Sequence, residues 1–235
     1  MSDRPVLFVG DIQSCSRELQ SLLDEAGFRP GAHRLIPVGD TINRGPDAPG
    51  VMHILRDAGA EPIVGNHERA LLEIMERGES PDWLKVGSAH AQLFEKAELE
   101  EAVEWMATWP TLRTGTGWIV VHAGLHPRLA PEETGADYLT EVRYCTPDGD
   151  RPTVADGKLS VAPAGFQPWY DFYIGRETVI YGHWARQGLL VRERLRGLDT
   201  GCVYGGHLTG LWWPEDRIVQ VNSVQPYRRL PVVKP

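Results

Sequence analysis

The chain has 235 residues, 42% of them hydrophobic and 24% charged, which is the balance of an ordinary globular protein of domain size. A formal net charge of -8 argues against double-stranded nucleic acid or an anionic membrane as partner, so an anionic ligand would need a local positive site. Three widely spaced cysteines, Cys15, Cys145 and Cys202, fit neither a disulfide framework nor a paired-cysteine zinc site. No apolar run approaches a membrane span and no signal-peptide core precedes the first Gly-Asp turn, so a reducing cytoplasm is expected.

In chain order, the first element is a strand at 6–11 (VLFVGD). A helix over Ser16–Ala26 follows, with Leu19, Leu22, Leu23 and Ala26 on one face and Gly27 to stop it. Residues 34–40 (RLIPVGD) give a second strand, and Pro49–Gly59, carrying Val51, Ile54, Leu55 and Ala58, a second helix. The run EPIVGN (61–66) reads as a third strand, and Glu98–Trp109, closed by Pro110, as a third helix. Beyond Gly117 strands predominate, at 117–124 and 177–183, then near Leu195–Leu198, Thr209–Trp213 and Ile218–Val221. The Pro- and Gly-rich stretch Pro147–Pro168 reads as an exposed excursion within a single domain spanning 1–235. Strand–helix alternation implies parallel pairing with helices on the sheet faces, an α/β arrangement in which ligands bind beyond the carboxyl ends of the strands.

Those ends are loaded. They carry Asp11, Asp40, Asn66 with His67, His122 and His183. One Gly-Asp after a strand is ordinarily a turn, and one histidine there is ordinarily a structural hydrogen-bonding residue; the set carries the argument. Carboxylates and imidazoles together suit manganese, iron or zinc better than calcium. A pair of such ions can activate water and clamp both the attacking and the leaving oxygen of a phosphoryl group.

The blocks GDIQ (10–13), GDTINRG (39–45), GNHE (65–68), HAG (122–124) and GH (182–183), in this order, resemble the signature of the calcineurin-like metallophosphoesterases of the phosphoprotein phosphatase superfamily. Within it, WMATWP, VRYCTPDG (142–149), QPWY (167–170), YGHWA (181–185) and above all LDTGCVYGGHLTGLWW (198–213) look most like the bacterial symmetrical diadenosine tetraphosphate hydrolases. The resemblance implies a β-sandwich flanked by helices with a dimetal site at the strand ends. It implies a first divalent ion on Asp11, Gln13 and bridging Asp40, and a second on Asp40, Asn66, His122 and His183. Manganese stands first, with iron, zinc, cobalt or magnesium as alternatives. His67 would protonate the leaving group, Asn43 would orient His67, and Arg44 and Arg143 would grip phosphate oxygens in bidentate fashion. Trp184 and Tyr204, flanking two site loops, are the candidates to stack on a base. The implied substrate is a small nucleotide, diadenosine tetraphosphate cut to two ADP, with a phosphoprotein or an RNA 5′ end as rivals. The chain departs from the superfamily at Gln13, where histidine is usual, and at Asn43, where the protein phosphatases carry aspartate; the segment Pro127–Arg176 is also short. His33, His53, His90, His126 and His207, outside these blocks, are expected to be structural or exposed, and Cys202 a small buried residue.

Overall fold

A computed structural model describes residues 4–78, 96–153 and 161–229. Two sheets form its frame. The first runs in the order β11 (Arg217–Asn222), β10 (His207–Trp213), β1 (Val6–Val9), β2 (Arg34–Pro37). The second runs β3 (Leu112–Gly115), β4 (Trp118–Val121), β7 (Thr178–Tyr181), β9 (Leu195–Gly197), β8 (Leu190–Arg192). A two-stranded ribbon pairs β5 (Tyr144–Cys145) with β6 (Gln167–Pro168), so the excursion after Pro147 returns to the body of the protein there.

Alternation along the strands explains why the sheets stack. Val6 and Phe8 of β1 point to one face and Leu7 and Val9 to the other. The first pair joins Ile36, Trp118, Val120, Ile180 and Leu211 in a core between the two sheets. The second pair packs with Leu19, Leu22, Leu23, Val51 and Leu55 under the helices α1 (Ser16–Ala26) and α2 (Ala48–Asp57). On the far side, Ile119, Val121, Val179 and Tyr181 turn outward onto Trp169 and Leu139. The result is a helix-flanked sandwich, as the resemblance implies.

Pairing is mixed: β1–β2, β4–β7 and β7–β9 are parallel, whereas β10 runs antiparallel to β1. The parallel strands therefore end together, at one rim of the sandwich. Helix α2 begins where Asp47 accepts the Gly50 N–H at 3.0 Å, one residue before the expected start.

The expected strand at 61–66 is not one. Glu61 and Ile63 donate to Leu35 and Pro37 of β2, but Pro37, which lies between them as the return donor, has no N–H, so no ladder forms. From Asn66 the chain instead enters α3 (Asn66–Glu76), which packs Leu71 against α2 and against Ala102 and Met106 of α4 (Lys96–Met106). A short α5 (Ala136–Glu141) likewise interrupts the strand-rich half.

Candidate metal centre

Asp11 lies two residues past β1, Asp40 three past β2, His122 directly after β4 and His183 two past β7; parallel pairing brings two donors together in each sheet, and the contacts of His183 with Asp11 and of His122 with Val38 join the two pairs at one rim. Ligand atoms of Asp11, Asp40 and His122 fall within 4.8 Å of one another, and all three residues are buried. The loops reach this arrangement through backbone that side chains rarely adopt: Gln13, Asp40, Asn43, Arg44 and His183 all have positive φ. Close approach explains two of the glycines. A Cβ on Gly65 would lie 2.4 Å from Asp40 Oδ1, and one on Gly182 would lie 2.0 Å from Asp11 Oδ1.

The imidazole side is oriented before any cation arrives. His122 Nδ1 lies 2.9 Å from the Val38 carbonyl and His183 Nε2 lies 3.0 Å from that of Glu141. A carbonyl only accepts, so in neutral rings those nitrogens carry the protons. The remaining lone pairs, on His122 Nε2 and His183 Nδ1, stand 3.0 and 2.8 Å from the same atom, Asn66 Oδ1, while His122 Nε2 also lies 3.3 Å from Asp40 Oδ1. Burial, then Arg143 and His122, hold His183 well below the ordinary imidazole range, which keeps it neutral. Acceptors thus converge with no proton between them, a geometry that a cation satisfies.

Opposite them, Asp11 accepts from the His183 N–H through Oδ1 at 3.0 Å, while its buried Oδ2 has no hydrogen-bond partner among the described residues. Burial and the neighbouring Asp199 and Asp40 push the Asp11 carboxyl well up, and burial with Asp40 also raises Asp199. Burial pulls Asp40 upward as well, but His122, His67 and Arg44 overcome it and hold that carboxyl low. Asp40 Oδ1 additionally accepts the His67 N–H at 3.0 Å, in the first turn of α3, where the helix favours negative charge. Gln13 is buried and its N–H bonds to the Asp40 carbonyl at 2.8 Å. The orphaned Asp11 oxygen, the converging lone pairs and the oxygen–nitrogen donor set together fit divalent cations.

His67 Nε2 lies 3.6 Å from Asp40 Oδ2, and burial brings its pKa down to about 4 against the pull of Asp40. Asn43 is not on it. The Asn43 Oδ1 accepts from the Arg44 N–H at 2.7 Å, and buried His67 Nδ1 has no hydrogen-bond partner among the described residues. The left-handed backbone at Asn43 (φ 72°) folds its side chain onto the next amide and away from the ring. Arg44 projects over the Tyr204 ring, 5.8 Å from its centroid. Arg143 donates to the His183 carbonyl at 2.9 Å, so it braces the loop that carries His183. Trp184 packs edge-on to Tyr144 and tilted against Tyr170, at centroid distances of 5.0 and 6.2 Å. His33 accepts from the Arg29 N–H and lies edge-on to Trp212, His126 is half-buried, His53 and His207 are exposed, and His90 lies outside the described residues.

Two residues carry more than the sequence suggests. Glu68, at the third position of α3, accepts the N–H groups of Gly65, Asp40, Thr41 and Ile42 at 2.8–3.2 Å, which ties the Asp40 loop to the start of the helix. A glutamate three residues beyond a helix cap is a readable sign of such reach-back. Asp199, in the LDTG stretch, is buried beside Asp11 and accepts from the Gly201 N–H at 3.1 Å. No local pattern marks it.

A sandwich with Asp, Asn and His donors gathered at one rim defines a metal-dependent phosphoesterase, and the calcineurin-like phosphoesterase family model matches residues 4–211. The chain belongs to that family, and its membership implies divalent metal at the donor cluster. Its relatives are more particular. The symmetrical bis(5'-nucleosyl)-tetraphosphatase of Aromatoleum aromaticum is 30% identical over 92% of this chain and 96% of its own. That of Methylobacillus flagellatus is 32% identical over 91% and 93%. A solved structure described as a candidate diadenosine tetraphosphatase superposes with a TM-score of 0.78 at 30% identity, covering 94% of this chain and 95% of that one. The first alignment runs to 263 positions, more than the 235 residues available here, so that relative carries residues this chain lacks.

Proposed function

We propose that this chain hydrolyses dinucleoside polyphosphates, cutting diadenosine tetraphosphate at its middle anhydride to give two ADP. The observation that carries the reading is similarity to symmetrical tetraphosphatases over nearly the full length of both chains. Two divalent ions, manganese first among the candidates, would be held by Asp11, Gln13 and Asp40 and by Asp40, Asn66, His122 and His183. Once bound, they supply a water nucleophile at neutral pH and positive charge against the phosphates.

The remaining work belongs to the side chains. Asp40, held ionised, offsets the repulsion between two cations. Arg44 and Arg143 grip the phosphates, a local positive pair in a chain of net charge -8. Tyr204, with Arg44 across its ring, and Trp184, seated among Tyr144 and Tyr170, flank the site as stacking surfaces. His67, neutral at pH 7 because it is buried, holds one ring proton and is a weak acid. That suits an anhydride: the leaving nucleoside diphosphate ends in a phosphate whose pKa should be about 6, like the second ionisation of a phosphate monoester. A serine phosphate instead expels a basic alkoxide, which needs a stronger acid than this one. This reading expects the enzyme to act in the cytoplasm.

The test compares kcat/KM for diadenosine tetraphosphate and for a phosphoserine peptide on one preparation. The dinucleotide is expected to be favoured by a large factor, and His67→Ala to hurt the peptide reaction more. A peptide preferred over the dinucleotide would promote the protein phosphatase reading.

A further inference from the structure

A second donor cluster lies beside the first and shares no residue with it. Cys15 Sγ, Cys202 Sγ and a carboxylate oxygen of Glu18 all fall within 4.8 Å of one another. The three residues are 0%, 1% and 1% exposed, respectively. Cys15 is the residue before α1, Glu18 is in its first turn, and Cys202 opens the short 3-10 turn that follows Gly201. Glu18 Oε1 is well used, accepting the Val224 N–H at 2.9 Å and the Tyr227 hydroxyl at 3.0 Å. Its other oxygen, Oε2, is buried and has no hydrogen-bond partner among the described residues. The Cys15 Sγ also lies 3.6 Å from the Gln13 carbonyl oxygen.

A buried carboxylate oxygen without a donor is costly, and proteins ordinarily relieve it with a hydrogen bond, a water or a cation. An oxygen of this same carboxylate lies within 4.8 Å of both sulfurs. That donor set selects its own kind of ion: thiolates favour zinc-class cations over magnesium, calcium or manganese, and zinc accepts carboxylate oxygen beside sulfur. Tetrahedral zinc–sulfur bonds of about 2.3 Å put two sulfurs roughly 3.8 Å apart, so donors that lie within 4.8 Å of one another need to close by about 1 Å at most. The oxygen- and nitrogen-rich cluster of Asp11, Asp40 and His122 has the opposite preference, so the two would sort different ions.

We propose that Cys15, Glu18 and Cys202 form a structural site for a thiophilic divalent cation of the zinc class. Loading replaces two thiol protons, which leave to solvent, by one ion bound to two thiolates and a carboxylate. The ion clips the start of α1 to the turn after LDTG, and through Glu18 to the segment carrying Val224 and Tyr227. Cys15 follows Gln13 by two residues and Cys202 follows Asp199 by three, so this clip fixes both loops that build the carboxylate side of the catalytic candidate. Because every donor is buried, the ion enters as the chain folds. The inference stands or falls independently of the substrate proposed above.

The test uses the full chain, unfolded with chelator and refolded with cobalt(II). Thiolate-to-cobalt charge transfer absorbs in the near ultraviolet, and the other cluster, having only oxygen and nitrogen donors, cannot produce it. The expected result is a charge-transfer band that saturates at one ion per chain, disappears in Cys15→Ser and in Cys202→Ser, and persists in Cys145→Ser and Asp11→Asn. Absence of the band from the unsubstituted protein, or its survival in Cys15→Ser, overturns the proposal. Should the serine variants not refold, cadmium NMR on the unsubstituted protein counts sulfur donors directly. A two-sulfur resonance supports the site; resonances from oxygen and nitrogen coordination alone refute it.

Discussion

On one side of the candidate centre, His122 and His183 are each fixed by a bond to a main-chain carbonyl, and both offer their free nitrogen to the point occupied by Asn66 Oδ1. On the other side, Asp11 and Asp199 face each other in a buried space, one oxygen of Asp11 without a donor and both carboxyls raised. The imidazole side is organised in advance by the backbone, so a cation meets donors already oriented. The carboxylate side holds like charges together and is relieved by positive charge. One end is shaped by hydrogen bonds, the other by an unmet electrostatic demand.

The two arginines divide along the same line. Arg44 lies over Tyr204 near the carboxylate side, whereas Arg143 is bonded to the His183 carbonyl. Replacing either by alanine should cost about 2–4 kcal/mol in kcat/KM, with poor rescue by lysine. Only Arg143→Ala should also weaken metal binding, because it loosens the His183 loop. Calorimetric metal titration beside steady-state kinetics separates the two. Near-normal kinetics for both variants would show that phosphate is held elsewhere.

His67 gives a pH signature. Its folded pKa, about 4, lies below the ordinary value of 6.5, so the ring is neutral in the native state. It contributes no penalty above pH 6.5, and native stability falls as pH drops from there toward 4, because the unfolded chain binds the proton first. In metal-free protein this loss should reach roughly 3 kcal/mol relative to His67→Gln, measured by denaturant unfolding across that window. Parallel curves for the two proteins would contradict it.

The Gln13 position offers a smaller lever. A carbonyl donor is weaker than imidazole, so metal should bind in two unequal steps, and Gln13→His should tighten the weaker by roughly tenfold. The gentlest change is Asp199→Asn. The raised carboxyls of Asp11 and Asp199 impose a penalty that grows as pH rises through their folded pKa values. Removing one charge should therefore stabilise the metal-free protein by on the order of 1 kcal/mol and reduce the stabilisation gained on adding metal. Equal shifts in Tm with and without metal would show that Asp199 does not face the cation.

Most donors were legible because Asp11, Asp40, Asn66 and His183 each follow a short β-branched run closed by a glycine, and His122 directly ends such a run. Helix α3 was not, because the apolar Ile63-Val64 pair before Gly65 looks like a strand, and only the missing N–H of Pro37, the return donor, reveals otherwise. Asn43 illustrates a different limit. Its residue type suits a hydrogen bond to His67, but its backbone angle, which no sequence pattern displays, sends the amide to Arg44. The meeting of Asp199 with Asp11, and of Cys15 with Cys202, joins residues from opposite ends of the chain through the β1–β10 pairing, and no local periodicity encodes it.

The central claim is that an Asp/Asn/His cluster of two unlike halves drives symmetrical anhydride cleavage with two cations. The direct measurement is chromatography of products from diadenosine tetraphosphate while manganese is titrated into metal-free enzyme. The account predicts ADP as the sole nucleotide product, with activity reaching its plateau only as the second equivalent binds. Formation of AMP and ATP, or full activity at one ion per chain, would contradict it.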